Sequence, residues 1–299
     1  MPFSKEFIIN AAKLIEVKSV DSDFAIAKDY IMKAIKKIAK DIPYSKESDI
    51  DIYIHGSYAN VTNIFFPSNL EICVELKIPQ HEYTLSNNYF VAHNMPFAPR
   101  DFRAALRDAL SEIIDPNCTE NDKCIIIPQF GKLRHTVEIT PCFSFEYTEP
   151  EGARFKGVLL YDAAVGADII TFPKVHAKNG QTKDVKCEGN FKRMVRLFKS
   201  LNAVYARENE TSATRGYFIE CLLFNVPDAL FRGSSLDEIF IKILNYLLHA
   251  NLDGYVCQNL IWQLFGSARE FWDINGAHKF IRQIKVLYKT FPSTRTMLA

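Results

Sequence analysis

The spacing of apolar residues begins helical, becomes strand-like from about residue 50, and returns to a helical period that dominates the second half of the chain. Isoleucine occupies every second position from 50 to 54, and apolar residues alternate with polar ones from 70 to 76. Such alternation predicts strands with one buried face. Apolar runs predict further strands at 124–130 and around 137–139. Apolar residues three and four positions apart predict helices over 4–15, 22–40, 100–114, 189–206, 214–225, 236–250 and 275–290.

The order of these elements predicts an α+β fold with two lobes. The first lobe, residues 1–185, combines helices with strands, and the second, residues 186–299, is helical. The stretch 149–189 contains several glycine and proline residues and many charges, which is typical of a connection with little regular structure. We therefore expect this stretch to join the two lobes.

Positive and negative charges are almost balanced. The 299 residues include 36 Lys and Arg and 35 Asp and Glu, for a net charge of +1. No overall field therefore draws the chain onto nucleic acid or an anionic membrane. The amino terminus lacks a signal-peptide pattern, and no apolar run approaches the roughly 18 residues of a membrane span. We expect a cytoplasmic protein without a membrane partner and without strong nucleic-acid binding.

The seven cysteines are interpreted as reduced side chains. They include no Cys-x-x-Cys pair, and several lie in apolar stretches predicted to be buried strands or helices. Both features are typical of core cysteines rather than of disulfides or zinc ligands.

A Gly-Ser pair, Gly56 and Ser57, follows the first predicted strand. Glycine removes a side chain where the backbone turns tightly or meets a phosphate, and serine offers a hydroxyl and an amide to phosphate oxygens. Most Gly-Ser pairs are ordinary turns. The pair therefore indicates a nucleotide site only together with other polar residues.

Three polar residues on predicted strands carry oxygens suited to a divalent cation. Asn69 and Glu71 are two positions apart, so they share the strand face opposite the apolar residues. Glu138 lies between two apolar residues and should also point away from the apolar face. Carboxylate and amide oxygens are ligands of hard cations such as Mg²⁺. The alternative is that all three are solvated strand positions.

The order of these features resembles the polymerase-β nucleotidyltransferases, whose pattern is a Gly-Ser pair, an Asp-x-Asp or Asp-x-Glu motif and a distant acidic residue. Within that superfamily, four segments are similar to the cGAS/DncV-like enzymes, the CD-NTases of bacterial CBASS anti-phage defence: 55–62, 137–143, 172–176 and 216–223. The resemblance implies a polymerase-β-like lobe with a mixed sheet, a C-terminal helical lobe, and an active site in the cleft between them.

The resemblance also implies a metal-dependent reaction. Asn69, Glu71 and Glu138 would be the catalytic residues and would hold two Mg²⁺ ions, or Mn²⁺. Gly56 and Ser57 would contact the nucleotide. The ions would polarise the α-phosphate of a nucleoside triphosphate and activate a ribose hydroxyl, with pyrophosphate leaving. The product would be a cyclic di- or trinucleotide made from ATP, GTP or other nucleoside triphosphates, and a downstream effector would read it.

Two further residues match nucleotide-binding positions of the family. Lys192, Arg196 and Lys199 form a basic row on the helix predicted over 189–206. On an isolated helix such a row is typical of a solvated face. The resemblance implies that Lys199 contacts the donor triphosphate and that Tyr217 stacks on the donor base.

The chain departs from the family pattern at two positions. Gly216 stands where a serine usually precedes the stacking aromatic, so a hydroxyl contact is missing unless Ser212 or Thr214 supplies it. Asn69 stands where relatives generally carry aspartate, and a neutral amide should weaken metal binding and raise the reaction barrier. A lineage variant that still catalyses, a natural pseudoenzyme and a laboratory Asp-to-Asn change would each explain Asn69.

Three functions therefore fit the sequence. The leading hypothesis is synthesis of a cyclic oligonucleotide messenger in anti-phage signalling. One alternative keeps the fold and transfers a single nucleotide to RNA or to a small molecule. The other is a catalytically impaired nucleotide-binding sensor, for which Asn69 is the motivating feature.

Overall fold

The chain forms two compact units. The sheet unit contains the described residues from 18 to 58 and from 69 to 175, and the helical unit contains 59–64 with the described residues from 176 to 290. The sequence predicts a division between the lobes at residue 185, whereas the structure divides the units after Val175. This division lies inside the helix Pro173–Lys186, where no change of composition marks it. The predicted helix over 4–15 lies outside the described residues. The computed structural model describes residues 18–43, 46–64, 69–77, 83–86, 89–92, 97–114, 118–148, 152–266 and 271–290.

The sheet unit is built on a seven-stranded mixed sheet and a separate two-stranded one. The strands are β1 (Ile50–Ile54), β2 (Leu70–Leu76), β3 (Tyr83–Ser86), β4 (Tyr89–Ala92), β5 (Thr119–Glu120), β6 (Ile125–Ile127), β7 (Val137–Thr148), β8 (Arg154–Asp162) and β9 (Ala167–Thr171). The large sheet runs β1-β2-β7-β6-β5, with β8 beside β7 and β9 beside β8, and β3 pairs with β4. β2 and β7 pair in parallel, whereas the other described pairs are antiparallel. The α+β class and the mixed sheet are thus confirmed.

The alternation in β2 separates an apolar face from a polar face. Leu70, Ile72 and Val74 are completely buried. They share one core with residues of the long helices α1 (Lys18–Lys37) and α3 (Pro99–Ile113), while α2 (Gly56–Ala59) is a single turn. Because strand side chains alternate, Glu71 and its neighbours at every second position face the other way. This polar face carries the acidic residues of interest.

The helical unit contains the helices predicted for the second half of the chain. Their apolar faces form one core that includes Phe198, Ile219, Ile243 and Phe280. Ser235 caps one helix by accepting the Glu238 N–H at 3.2 Å. The helices are α4 (Pro173–Lys186), which begins in the sheet unit, α5 (Asn190–Glu208), α6 (Gly216–Phe224), α7 (Leu236–His249) and α8 (Ile274–Thr290).

The segment 149–189 is more regular than its composition predicts. Its described residues form β8, β9 and α4, so the expectation of an irregular connection is wrong. A β-carbon on Gly157 would lie 2.5 Å from the Thr171 carbonyl oxygen. This glycine therefore reflects the close approach of β8 and β9 rather than a turn.

All seven cysteines are free, and six of them are buried, as their apolar surroundings in the sequence predict. Within the described part of the chain, none of the helices combines the length and the apolar character needed to cross a bilayer.

Candidate active site

The turn after β1 is shaped by a carboxylate. His55 donates its backbone N–H to the Glu71 carbonyl oxygen at 2.9 Å, and Gly56 follows with a φ of 63°. A β-carbon on Gly56 would lie 1.8 Å from Glu71 Oε2. The Ser57 N–H donates to the same oxygen at 3.1 Å. Glycine is therefore required both by the left-handed backbone and by the Glu71 carboxylate.

Replacing Gly56 by alanine should displace Glu71 as well as strain the backbone. The left-handed conformation alone costs a residue with a β-carbon about 1–2 kcal/mol. Gly131 is a matched control, because it has a φ of 55° and open space around its β-carbon position. We expect Gly56→Ala to lower the free energy of unfolding more than Gly131→Ala does. Equal effects of the two substitutions would show that Glu71 does not restrict position 56.

The parallel pairing of β2 with β7 brings the acidic residues together. Leu70 pairs with Val137 and Glu71 with Glu138. Leu70 and Val137 are completely buried, so the two glutamates share the opposite, polar face. Asn69 Nδ2 donates to Glu138 Oε1 at 2.8 Å. The structure therefore gathers Asn69, Glu71 and Glu138 at one end of the paired strands.

The donor set suits a single hard cation that shares its ligands with a substrate. Mg²⁺ is usually bound by one or two carboxylates together with substrate phosphates and water. Glu71 and Glu138 supply the two carboxylates, and the Asn69 amide oxygen is a neutral third donor. Within the described residues, no three His, Cys, Asp or Glu side chains are grouped to hold a metal ion. The residues therefore fit one ion completed by phosphate oxygens better than an all-protein site.

A partly buried histidine adds positive charge beside the two glutamates. His55 Nε2 lies 3.4 Å from Thr140 Oγ1. Burial acts to lower the pKa of His55, but Cys73, Glu71 and Glu138 raise that pKa to about 9. His55 is therefore protonated at neutral pH and offsets part of the negative charge of the carboxylates.

The helical unit contains a buried carboxylate with four donors, which we call the Glu220 cluster. Glu220 is 3% exposed. It accepts hydrogen bonds from Thr62 Oγ1 at 2.6 Å, Asn60 Nδ2 at 3.1 Å and His176 Nε2 at 2.8 Å, and it pairs with the Lys199 ammonium. Lys199 Nζ also donates to the Thr62 hydroxyl and carbonyl oxygens at 3.1 and 3.3 Å. Lys199 is thus a buried partner of Glu220 in this structure.

The basic row on α5 is buried rather than solvated. Lys192, Arg196 and Lys199 are 7%, 4% and 8% exposed. Lys192 donates to Gln181 Oε1, and Arg196 Nη1 donates to the Val61 carbonyl oxygen at 2.6 Å. The interpretation as a solvated face is wrong, because tertiary contacts supply acceptors for these cations.

Tyr217 lies next to the Glu220 cluster and remains 41% exposed. Its ring stacks on His176, with centroids 5.1 Å apart and planes inclined by 26°. A β-carbon on the preceding Gly216 would lie 3.0 Å from Lys199 Cε. The glycine that replaces the usual serine therefore leaves room for the buried lysine chain.

Sequence reasoning missed the residues that surround Glu220. Asn60 and Glu220 are 160 positions apart, and Thr62 and Glu220 are 158 apart. His176 and Glu220 lie in segments that carry the family resemblance, which was the only signal pointing to them. No local spacing could pair residues so distant in the chain.

The family and curated relatives agree with the resemblance. Residues 178–289 match the cGAS/DncV-like nucleotidyltransferase C-terminal helical domain. A cyclic nucleotide synthase of Staphylococcus haemolyticus is 28% identical over 277 residues, which cover 85% of this chain and 90% of the relative. A cyclic UMP-AMP synthase of Rhodothermus marinus is 25% identical over 245 residues, covering 80% and 84%.

Solved structures share the fold. A c-UMP-AMP synthase of Rhodothermus marinus, solved with Apcpp and Upnpp, has a TM-score of 0.78 at 22% identity and covers 97% of this chain and 98% of its own. A cyclic dinucleotide synthase of Elizabethkingia meningoseptica, solved with GTP and Apcpp, has a TM-score of 0.75 at 21% identity, with coverages of 94% and 97%.

Proposed function

Because the chain belongs to the family of cGAS/DncV-like nucleotidyltransferases, we propose that it joins nucleoside triphosphates into a cyclic oligonucleotide. The observation that carries this proposal is the pairing of Glu71 with Glu138 across β2 and β7, beside the Gly56 turn. In this proposal the product is a di- or trinucleotide signal that a downstream effector reads in anti-phage defence.

The proposed cofactor is Mg²⁺, with Mn²⁺ as a substitute. Glu71 and Glu138 would hold the ion through their carboxylates, and Asn69 would turn its amide oxygen toward it. When bound, the ion polarises the α-phosphate and lowers the pKa of the attacking ribose hydroxyl. The neutral Asn69 weakens this site compared with a third carboxylate, because hard cations favour anionic oxygens.

The remaining site residues bind and orient the nucleotide in this proposal. The Ser57 hydroxyl donates to a phosphate oxygen, while Gly56 leaves space for Glu71. The exposed ring of Tyr217 stacks on a base, an interaction that suits every nucleobase because each has a π face. The proposed triphosphate contact of Lys199 requires its ammonium to leave the buried pair with Glu220.

Product formation tests the proposal directly. The protein is incubated with all four labelled nucleoside triphosphates and Mg²⁺ or Mn²⁺, and phosphatase-resistant products are identified by chromatography and mass spectrometry. A cyclic product is expected, and its mass identifies the bases. Transfer of one nucleotide onto an added RNA or small molecule would replace this proposal by the single-transfer alternative.

Asn69→Asp should strengthen the dependence on metal. A third carboxylate beside Glu138 replaces the hydrogen bond from Asn69 Nδ2 by repulsion, which a cation relieves. We expect a lower melting temperature without metal, a larger rise on adding Mg²⁺ than in the parent, and faster turnover. An unchanged metal-dependent rise in melting temperature would contradict the assignment of position 69 to the metal site.

A second candidate is a nucleotide-binding module without catalysis. It is favoured by the hydrogen bond from Asn69 to Glu138, which satisfies that carboxylate without a cation. Nucleotide binding by calorimetry, with no product from the parent or from Asn69→Asp even in Mn²⁺, would support the module. A product from Asn69→Asp alone would identify the parent as a disabled synthase.

A further inference from the structure

Tyr217 has one ring face covered by a histidine. The His176 ring stacks on it with centroids 5.1 Å apart, and Phe218 meets it at 5.8 Å with planes inclined by 62°. Tyr217 is nevertheless 41% exposed. Because His176 covers one face of the Tyr217 ring, a base that stacks on Tyr217 takes the opposite face.

The His176 ring is held in one orientation. Gln258 Nε2 donates to the His176 carbonyl oxygen at 2.8 Å, and His176 Nε2 donates to Glu220 Oε2 at 2.8 Å. His176 is 6% exposed, and its Nδ1 has no hydrogen-bond partner within the described residues. The bond to Glu220 is thus the polar contact that sets the rotation of the ring.

Glu220 is itself held as a charged acceptor. Burial acts to raise the pKa of Glu220, but Lys199 and His176 hold that pKa well below its usual range. Thr62 and Asn60 donate to the same carboxylate. The acceptor for His176 therefore keeps its charge and its place at neutral pH.

We propose that His176 is a positioning residue that presents the ring of Tyr217 to the nucleotide base, with Glu220 fixing the orientation of His176. The inference rests on the proposed function, because it requires a nucleotide that stacks on Tyr217. A supported ring loses less side-chain freedom when a base binds, so the support increases affinity without contacting the ligand. Its effect falls on base stacking and not on the phosphates.

His176→Ala and His176→Phe separate the two roles of this residue. Alanine removes the stacked ring, whereas phenylalanine keeps a ring against Tyr217 and loses the hydrogen bond to Glu220. We expect His176→Ala to weaken binding of the nonhydrolysable analogues Apcpp and Upnpp by about two- to twelvefold. This range corresponds to the interaction energy of one aromatic pair, expressed as a change in affinity. His176→Phe should restore only part of that loss, and the remainder measures the orientation that the bond to Glu220 supplies.

Three controls are measured by the same calorimetry. Tyr217→Ala should weaken both analogues more than His176→Ala does. His249→Ala changes an exposed histidine on α7 whose Nδ1 bonds to the Asn245 carbonyl oxygen of its own helix at 2.8 Å, and it should bind both analogues like the parent. Inorganic tripolyphosphate, which has no base, should bind the His176 variants and the parent equally.

The outcomes distinguish the inference from the proposed function. If Tyr217→Ala weakens binding and His176→Ala does not, the inference is wrong and the synthase proposal is untouched. Equal losses of analogue and tripolyphosphate affinity in His176→Ala would also overturn it, because they would indicate a general disturbance of the fold. If the parent binds neither analogue and makes no cyclic product from the four nucleoside triphosphates, the proposed function fails, and the inference fails with it.

Discussion

Alanine at Glu71 or at Glu138 is expected to abolish cyclic-oligonucleotide synthesis. Each substitution removes one of the two carboxylates that β2 and β7 place side by side. Charge stabilisation by a bound metal contributes several kcal/mol to the barrier, so losing the ion should slow turnover by about 10²-fold or more. Each variant should remain folded, because the large core that contains Leu70 and Ile72 lies on the other face of β2 and β7, and the small cluster around Cys73 and Cys142 on the glutamates' own face does not include either side chain.

Product formation and the Mg²⁺-dependent rise in melting temperature are both measured for these variants. Glu146→Ala is the matched control, since the half-buried Glu146 is also on β7 and pairs with the exposed Lys156 at 3.2 Å. The control should behave like the parent in both measurements. If Glu71→Ala and Glu138→Ala also behave like the parent, the proposed metal site does not exist.

Glu220→Ala is expected to destabilise the helical unit strongly. Among the described residues, the substitution leaves the buried Lys199 ammonium with the two Thr62 oxygens as its acceptors. Removing one partner of a buried ion pair typically costs about 3–5 kcal/mol. Urea unfolding at pH 7 measures the loss, and the exposed Glu208 on α5 is the control, for which an alanine should change stability by less than about 0.5 kcal/mol.

The dependence of this effect on pH has a definite sign. Because the pKa of Glu220 is held below its usual range in the folded chain, its contribution is fully present above the unfolded value of about 4.3 and is lost as the pH falls below it. The difference in unfolding free energy between parent and Glu220→Ala should therefore shrink between pH 7 and pH 3. A difference that grows on acidification would refute the assignment of a charged Glu220.

Local patterns predicted the elements better than the segment that connects them. The periods at 50–54 and 70–76 became β1 and β2, and the predicted helix over 189–206 became α5 (Asn190–Glu208). Such strands and helices are predictable because their apolar residues recur at a fixed spacing among close neighbours in the sequence. The glycines of 149–189 predict an irregular connection, but Gly157 lies within β8, where a β-carbon would contact the Thr171 carbonyl oxygen. This glycine therefore does not indicate a turn.

The sequence also predicts part of the polar face of the sheet. Asn69, Glu71 and Glu138 were selected from alternation and from the family resemblance, and the parallel register of β2 with β7 places Glu71 opposite Glu138. The spacing of neighbouring residues predicts neither the register of β2 with β7 nor the reason why position 56 is glycine. The sequence alone explains Gly56 by a turn or a phosphate contact, whereas in the structure a β-carbon there would meet the Glu71 carboxylate.

The sequence by itself determined which segments are strands and helices, and which polar residues lie on the strand face opposite the apolar one, because both properties follow from the period of neighbouring side chains. Only the tertiary structure decided the surroundings of Glu220, Lys199 and His176. The partners of Glu220 lie as far as 160 positions away in the chain. Burial of its charge is tolerated only where packing of the whole unit brings Lys199 and three hydrogen-bond donors to the same carboxylate.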